Sequence, residues 1–417
     1  CSPFFYWLRN TGDPVMPFGL MDSAKLHGKM WINEYDSRSF LRPISPKTFS
    51  QWETLQEFKK EFGAAITRDS GWWWYEFNFA STGAKAPLWY DDPQLLAEMR
   101  TMQNVYTQYV EKPPAADPAQ IAVFLEPEEA LGTDAYSPAN TVYSNIVNNF
   151  LPRLQALGAP SRIYATSDIP LLKQKGQLDH FKLLIFVNAF HLDAKQRAEI
   201  NSLKNQGRTL LFFYAPGYAG NAGANTELSL AASQQLLQMP GLTKIDQQHL
   251  VGMQWQDANG AHVFDAKPWT DSVQIENFGN PIGPVFYVDS QNAAGWKTIA
   301  KLRLDEKDQP DKIAVAQLDA PDYHLIYSAI PDLPSELLRS IARNSGVHFY
   351  INNPGVLLWA NGKFICVNSG HDIPQLTIHA PKPVTWKDPF TGKVLSRDSA
   401  TLTIPIRAGE CLFFSIG

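Results

Sequence analysis

The sequence predicts an α/β chain that ends in an all-strand segment, and three observations carry that prediction. From residue 1 to about 112, strand-like and helix-like patterns alternate. From 119 to 346, short and almost purely apolar runs are separated by helical periodicity, the mark of a parallel, doubly wound sheet covered on both faces. From 347 to 417 helical periodicity stops and apolar strands follow one another.

The first candidate strand lies in His27-Gly28-Lys29-Met30-Trp31-Ile32-Asn33-Glu34-Tyr35-Asp36-Ser37-Arg38. Residues two apart on a strand share a face, so Glu34, Asp36 and Arg38 are expected to point the same way, with Trp31 near the start of the set. Two carboxylates and a guanidinium on one face are costly unless paired or functional. A plain surface strand with an Asp–Arg ion pair has the same pattern. Next comes helical spacing from Phe49 to Phe62, with Trp52, Leu55, Phe58 and Phe62 expected on the buried face. A second strand follows at Gly71-Trp72-Trp73-Trp74. Strand alternation places Trp72 and Trp74 on one face and Trp73 on the other. Indoles stack on the apolar faces of sugar rings, so Trp72 and Trp74 are expected at a binding surface, with Glu76 at the strand end beside them. A loop with Pro87, Trp89 and Tyr90 leads to Asp92, a candidate N-cap, and a helix from Pro93 to about Val110.

Lys112-Pro113-Pro114-Ala115-Ala116-Asp117-Pro118 reads as a semi-rigid linker. Strands are then expected at Ile121–Leu125, from Arg162, at Leu183–Val187 and at Thr209–Tyr214, with helices at Tyr143–Leu157, Asp193–Asn205 and Pro334–Arg343. Gly217, Gly220 and Gly223 do not have the G-x-G-x-x-G spacing of a dinucleotide site. There is no G-x-S-x-G elbow, and no cysteine follows a strand here. No cofactor is expected. Strands and turns fill Leu250 to Tyr327. The acidic run Asp305–Asp311 lacks the glycine and closing glutamate of a calcium loop and reads as a solvated turn. The last segment offers strands at 355–360, 363–367, 402–406 and 411–414, with Asn361-Gly362 as a hairpin signal.

Composition sets bounds. The 417 residues are 44% hydrophobic and 18% charged, which is globular and enough for two or three domains. A formal net charge of −5 argues against a nucleic-acid footprint. No apolar run is long enough for a membrane span. Cys1, Cys366 and Cys411 make no disulfide framework, and the last two sit in apolar strand-like runs that read as core. The nine histidines show no metal or triad spacing, so no metal site is assigned.

The stretch from Pro3 to about Glu111 resembles the last quarter of the catalytic barrel of family-42-type β-galactosidases. The features that carry the resemblance are Asp22-Ser23-Ala24, His27-Gly28-Lys29, the Glu34-x-Asp36-x-Arg38 signature, Arg68 and Gly71-Trp72-Trp73-Trp74. Ser39 stands where those relatives usually carry threonine. The resemblance implies a partial (β/α) barrel at 1–112, an amidotransferase-like domain at 119–346 that forms trimers in that family, and a small C-terminal β-sandwich at 347–417. It implies that Glu34 is the catalytic nucleophile of a retaining glycosidase, with Asp36 and Arg38 supporting it. A whole barrel needs roughly 200–250 residues, so the chain is expected to start after the sixth barrel strand, and the acid/base glutamate has no counterpart in it. Cys1-Ser2 as the start of a mature lipoprotein is the less favoured alternative.

Two functional readings follow: a glycoside hydrolase acting on a β-galactoside or related carbohydrate, and a non-catalytic barrel remnant serving carbohydrate binding or assembly. Bare strand edges and the amidotransferase-like domain both lead to an expected homo-oligomer, trimer or dimer. The compartment stays open between the cytoplasm and the periplasm or exterior of a bacterium.

Overall fold

In a computed structural model, the structure describes residues 2–3, 10–17, 19–37, 39–41, 49–76, 88–110, 116–126, 142, 145–220, 227–265 and 281–417. Arg38, Pro87, Gly223 and much of the expected linker lie outside the described residues. The chain divides into two compact units: residues 1–119, 155–160 and 348–417 form one, and residues 120–154 and 161–347 form the other.

The first unit opens with a three-stranded parallel sheet of β1 (Ser2–Pro3), β2 (Ile32–Tyr35) and β3 (Gly71–Trp74), in that order. Parallel neighbours need a crossover, usually a helix. Helix α1 (Met21–Leu26) precedes β2, and α2 (Gln51–Ile66) joins β2 to β3. Ser50 and Glu53 form a reciprocal capping box at the start of α2. Helix α3 (Pro93–Val110) follows β3, and the Asp92 carboxylate accepts from the N–H groups of Gln94 and Leu95. Leu55, Phe58 and Phe62 are buried as expected, but Trp52 is 41% exposed. It sits in the first turn of α2, where the apolar stripe has not yet met the sheet.

Helix α2 also carries an ionic cluster. Lys60 is 1% exposed and pairs with Glu57 at 2.8 Å. Its ammonium donates to the carbonyls of Asn10 and Asp13. Burial raises the Glu57 carboxyl to about 7, against the opposing pull of Lys60. A carboxyl raised in the folded state favours folding most below its unfolded value and loses that contribution as pH rises through the folded value. The first unit should therefore lose stability as pH climbs from the ordinary carboxyl range through about 7. Thermal unfolding across that range should show the decline, and Glu57→Gln should flatten it. A wild-type profile that the substitution leaves untouched would rule the cluster out as its source.

The second unit is built on β4 (Ile121–Leu125), β5 (Ser161–Ala165), β6 (Leu183–Phe186) and β7 (Arg208–Phe213), all parallel. An antiparallel insertion follows: β8 (Leu242–Ile245), β9 (Val251–Asp257), β10 (Gly260–Asp265), β11 (Val285–Asp289), β12 (Trp296–Leu304) and β13 (Lys307–Asp319). Strand β14 (Tyr323–Ser328) then returns parallel to β7. The parallel part runs β5-β4-β6-β7-β14, the flavodoxin-like doubly wound order, and continues through β13, β12 and β9 to β10 as one eleven-stranded sheet. The parallel strands β4 to β7 are buried from end to end or nearly so, as a sheet covered on both faces requires.

Three local expectations change in detail. The helix expected from Tyr143 is a π-helical turn at Asn145–Phe150 followed by α-helix at Leu151–Gln155. Pro152 has no N–H to donate and its ring crowds the carbonyl four residues back, which disfavours regular α-helix there. The acidic run is a turn only at Asp305-Glu306, both in the left-handed region, as a two-residue hairpin requires; Lys307 onward is strand. At Asn361-Gly362 the link is longer than two residues, and the Asn361 side chain accepts from the N–H groups of Lys363 and Phe364.

The chain ends in the first unit with β15 (Leu357–Ala360), β16 (Phe364–Asn368), β17 (Ile373–Lys387), β18 (Val394–Ile406) and β19 (Cys411–Ile416). They form one antiparallel sheet in the order β15-β16-β19-β17-β18. Register shifts bend the long β17–β18 pair, and residues from all five strands surround Trp386 and Phe414 in one core. Helix α2 lies close against this sheet: a Cβ on Gly63 would come 2.3 Å from Cys366 Sγ, so only glycine fits there.

Candidate functional site

The sequence candidates gather at the ends of β2 and β3. The two strands pair in parallel with Asn33 opposite Trp72, Glu34 opposite Trp73 and Tyr35 opposite Trp74. Paired residues of parallel strands share a face. One face therefore carries Asn33, Tyr35, Trp72 and Trp74, and the other carries Glu34 and Trp73.

The Trp72–Trp74 face is the packed one. Trp72 meets Phe62 of α2 at 5.1 Å and Tyr106 of α3 at 5.0 Å, both edge to face. Trp74 meets Phe58 of α2 at 4.6 Å and Tyr35 at 5.0 Å. These two indoles, expected at a sugar surface, pack against the helices on one side of the sheet. The physical reason is crossover geometry: α2 and α3 need an apolar face to lie on, and the aromatic side of β3 supplies it. Trp73, on the side of Glu34, is 40% exposed and leans edge-on against Tyr75 at 5.5 Å. Alternation within the triplet alone does not single it out; the β2–β3 register, which sets it opposite Glu34, does.

Glu34 is partly buried at the end of β2, and Asp36 is buried just beyond. Asp36 lies past the last strand residue, so strand alternation does not itself fix its face. The segment that holds them is anchored on several sides. Ser37 Oγ donates to the Glu61 carboxylate of α2, and Ser39 Oγ donates to the Trp89 carbonyl. Phe40 N–H donates to Thr54 Oγ1 at 3.0 Å. The Tyr90 hydroxyl lies within reach of the Tyr35, Ser37 and Tyr75 carbonyls, the nearest at 2.9 Å, and ties the two strand ends together. Ser37, Glu61 and Tyr90 carry no motif signal, since each works through a contact made far along the chain.

The remaining candidates take supporting places. Trp31 donates its indole N–H to Asn33 Oδ1 at 3.1 Å, and its ring lies over Gly19, where a Cβ would be 2.5 Å away. Asn33 in turn donates to Ser70 Oγ at 2.7 Å and to the Gly71 carbonyl. Glu76 is exposed and accepts the Trp89 N–H at 2.9 Å, holding the segment that contributes Trp89 and Tyr90. Asp22 on α1 pairs with Arg68 after α2, and Lys25 and the Tyr109 hydroxyl both meet Asp69. Burial, then Glu61 and Cys366, push the Tyr35 phenol well above its ordinary range, so it stays neutral behind Glu34.

Chemically, a half-buried carboxylate beside an exposed indole on an open strand-end face has the elements of a carbohydrate site: a charged group for the reacting carbon and an aromatic plane for the ring. Among the described residues no cluster of three histidine, cysteine or carboxylate side chains is placed to hold a metal ion. Among them, too, no helix is long and apolar enough to cross a membrane.

No protein-family model matches the chain, and no curated protein does. Solved structures do. The β-galactosidase from Rahnella sp. R3 is 13% identical and superposes over 95% of this chain and 56% of its own, with a TM-score of 0.62. A GH42 β-galactosidase from G. stearothermophilus, solved as a catalytic mutant, is 12% identical over 89% of this chain and 51% of its own, with a TM-score of 0.56. The α-L-fucosidase isoenzyme 2 from Paenibacillus thiaminolyticus is 10% identical over 96% of this chain and 62% of its own, with a TM-score of 0.54. The chain thus spans between half and two thirds of the length of these structures. At such identity the likeness is one of fold, and over most of its length this chain has a fold similar to that of the GH42 β-galactosidases.

Proposed function

We propose that this chain belongs to a retaining glycoside hydrolase of β-galactosidase-like type and carries its nucleophile, Glu34. Asp36 and Arg38 are proposed to support the carboxylate, and Trp31 and Glu76 to border the sugar. The three-stranded sheet at the start of the chain is read as part of a (β/α) barrel, followed by an amidotransferase-like domain and a small C-terminal β-sandwich. The acid/base carboxyl is assigned to no residue of this chain. The observation that carries the reading is the placement of Glu34: at a strand end, on the face away from the helices, in register with the exposed Trp73, on a segment anchored by Ser37, Ser39 and Tyr90. The names of the structural neighbours suggest the substrate class, a β-galactoside or related glycoside.

A retaining mechanism passes through a glycosyl–enzyme ester on the nucleophile. A 2-deoxy-2-fluoro-galactoside with a good leaving group should trap that ester in the longest native chain containing these residues. Peptide mapping should find the sugar on Glu34. Turnover with the label on another carboxylate would remove Glu34 from the role.

The second reading is a non-catalytic remnant for sugar binding or assembly. Sugar binding without hydrolysis would select this reading. Assembly is proposed for both: a homo-oligomer, trimer or dimer, formed largely through residues 119–346. Light scattering at micromolar concentration should give a multiple of the 46.8 kDa chain mass; a monomer would exclude it.

A further inference from the structure

Cys366 on β16 and Cys411 on β19 lie on neighbouring antiparallel strands. Cys366 is opposite Phe413 and Cys411 is opposite Asn368, so the two cysteines are diagonal neighbours. Both are buried, and their sulfurs are 3.4 Å apart. That is contact distance, about 1.4 Å longer than a disulfide bond. Helix α2 fixes both from above. Gly63 lies against the Cys366 sulfur, and the Cys411 N–H donates to Gln56 Oε1 at 3.0 Å.

We propose that Cys366 and Cys411 are a reversible dithiol–disulfide pair that closes when the chain meets a low-molecular-weight disulfide such as oxidised glutathione. One cysteine thiolate attacks the small disulfide and releases one small thiolate, leaving a mixed disulfide. The second cysteine attacks its protein-side sulfur and releases the other small thiol. The protein loses two protons and two electrons, and the small disulfide is reduced to two thiols. Burial, reinforced by Cys411, raises the Cys366 thiol well above its ordinary range. The folded pair therefore reacts slowly, because the thiolate is the nucleophile. Closure is fast only while the sheet is open, during folding. The bond joins β16 directly to β19 and ties together residues 45 apart in sequence, which constrains the unfolded chain.

The test uses the full chain with Cys1→Ser, so that only this pair can close. It is refolded from denaturant in a mixture of oxidised and reduced glutathione, and in parallel in dithiothreitol. The oxidised sample should lose two hydrogens in intact mass and yield a single cross-linked peptide containing Cys366 and Cys411. Its thermal transition should lie several degrees above that of the reduced sample, and added reductant should cancel the difference. Cys411→Ser should show neither the cross-link nor the shift. Full alkylation of both cysteines after oxidative refolding, or a persistent glutathione adduct on either, would overturn the proposal. Refolding exposes both thiols to the oxidant, so burial cannot hide a pair that is able to close.

Discussion

Replacing Glu34 with glutamine should remove hydrolysis of an aryl β-galactoside by a factor on the order of 10⁴ or more, with the fold intact. The nucleophile of a retaining glycosidase must be an ionised carboxylate that forms an ester with the sugar. Glutamine has the same shape but neither the charge nor the nucleophilic oxygen. The fold should tolerate the change, because glutamine keeps the size of the side chain and the segment is anchored by Ser37, Ser39, Phe40 and Tyr90. Circular dichroism and the thermal midpoint should match the parent. A small added anion such as azide should restore turnover in Glu34→Ala, since it attacks in place of the missing carboxylate. Activity of Glu34→Gln within a few-fold of the parent would end the assignment.

The features legible in the sequence were those written locally. Asp92 before Pro93 marks a helix start through short-range capping, and the cap forms. The apolar strands of the second unit showed their burial through unbroken runs, and their flavodoxin-like order is the one expected of strands joined by helices. What stayed hidden depends on partners distant in the chain. Gly63 looks like a minor defect in a helix until the Cys366 sulfur is found against it. Nothing local to Lys60 and Glu57 signals their burial, which depends on the distant segment around Asn10 and Asp13. Trp52 looked buried from its spacing alone, but spacing does not say where along a helix the sheet begins. The site shows the same division. Glu34 stood out by residue type and position, whereas the face that each tryptophan occupies is set by the β2–β3 register, which no local pattern encodes.

That register makes the tryptophan triplet the sharpest structural test. Trp74→Ala should destabilise the first unit by about 2–3 kcal/mol, below the usual cost for a fully buried aromatic because the ring is only partly buried. Its ring contacts Phe58, Tyr35 and Tyr90 at centroid distances of 4.6, 5.0 and 5.6 Å, and those contacts are lost with it. Trp72→Ala should act in the same direction, since that ring bridges Phe62 of α2 and Tyr106 of α3. Trp73→Ala should leave stability within about 0.5 kcal/mol, as for most exposed positions. Its loss should appear in ligand binding. By analogy with aromatic–base stacking, removing a stacking plane weakens sugar affinity by about 1–3 kcal/mol, which is roughly five- to 150-fold. Urea unfolding and titration with a galactoside inhibitor, run on all three variants, separate the two faces. Loss of affinity in a Trp72 or Trp74 variant that unfolds like the parent, with Trp73→Ala binding normally, would reverse the assignment of the faces. It would also move the candidate site to the helix side of the sheet, away from Glu34.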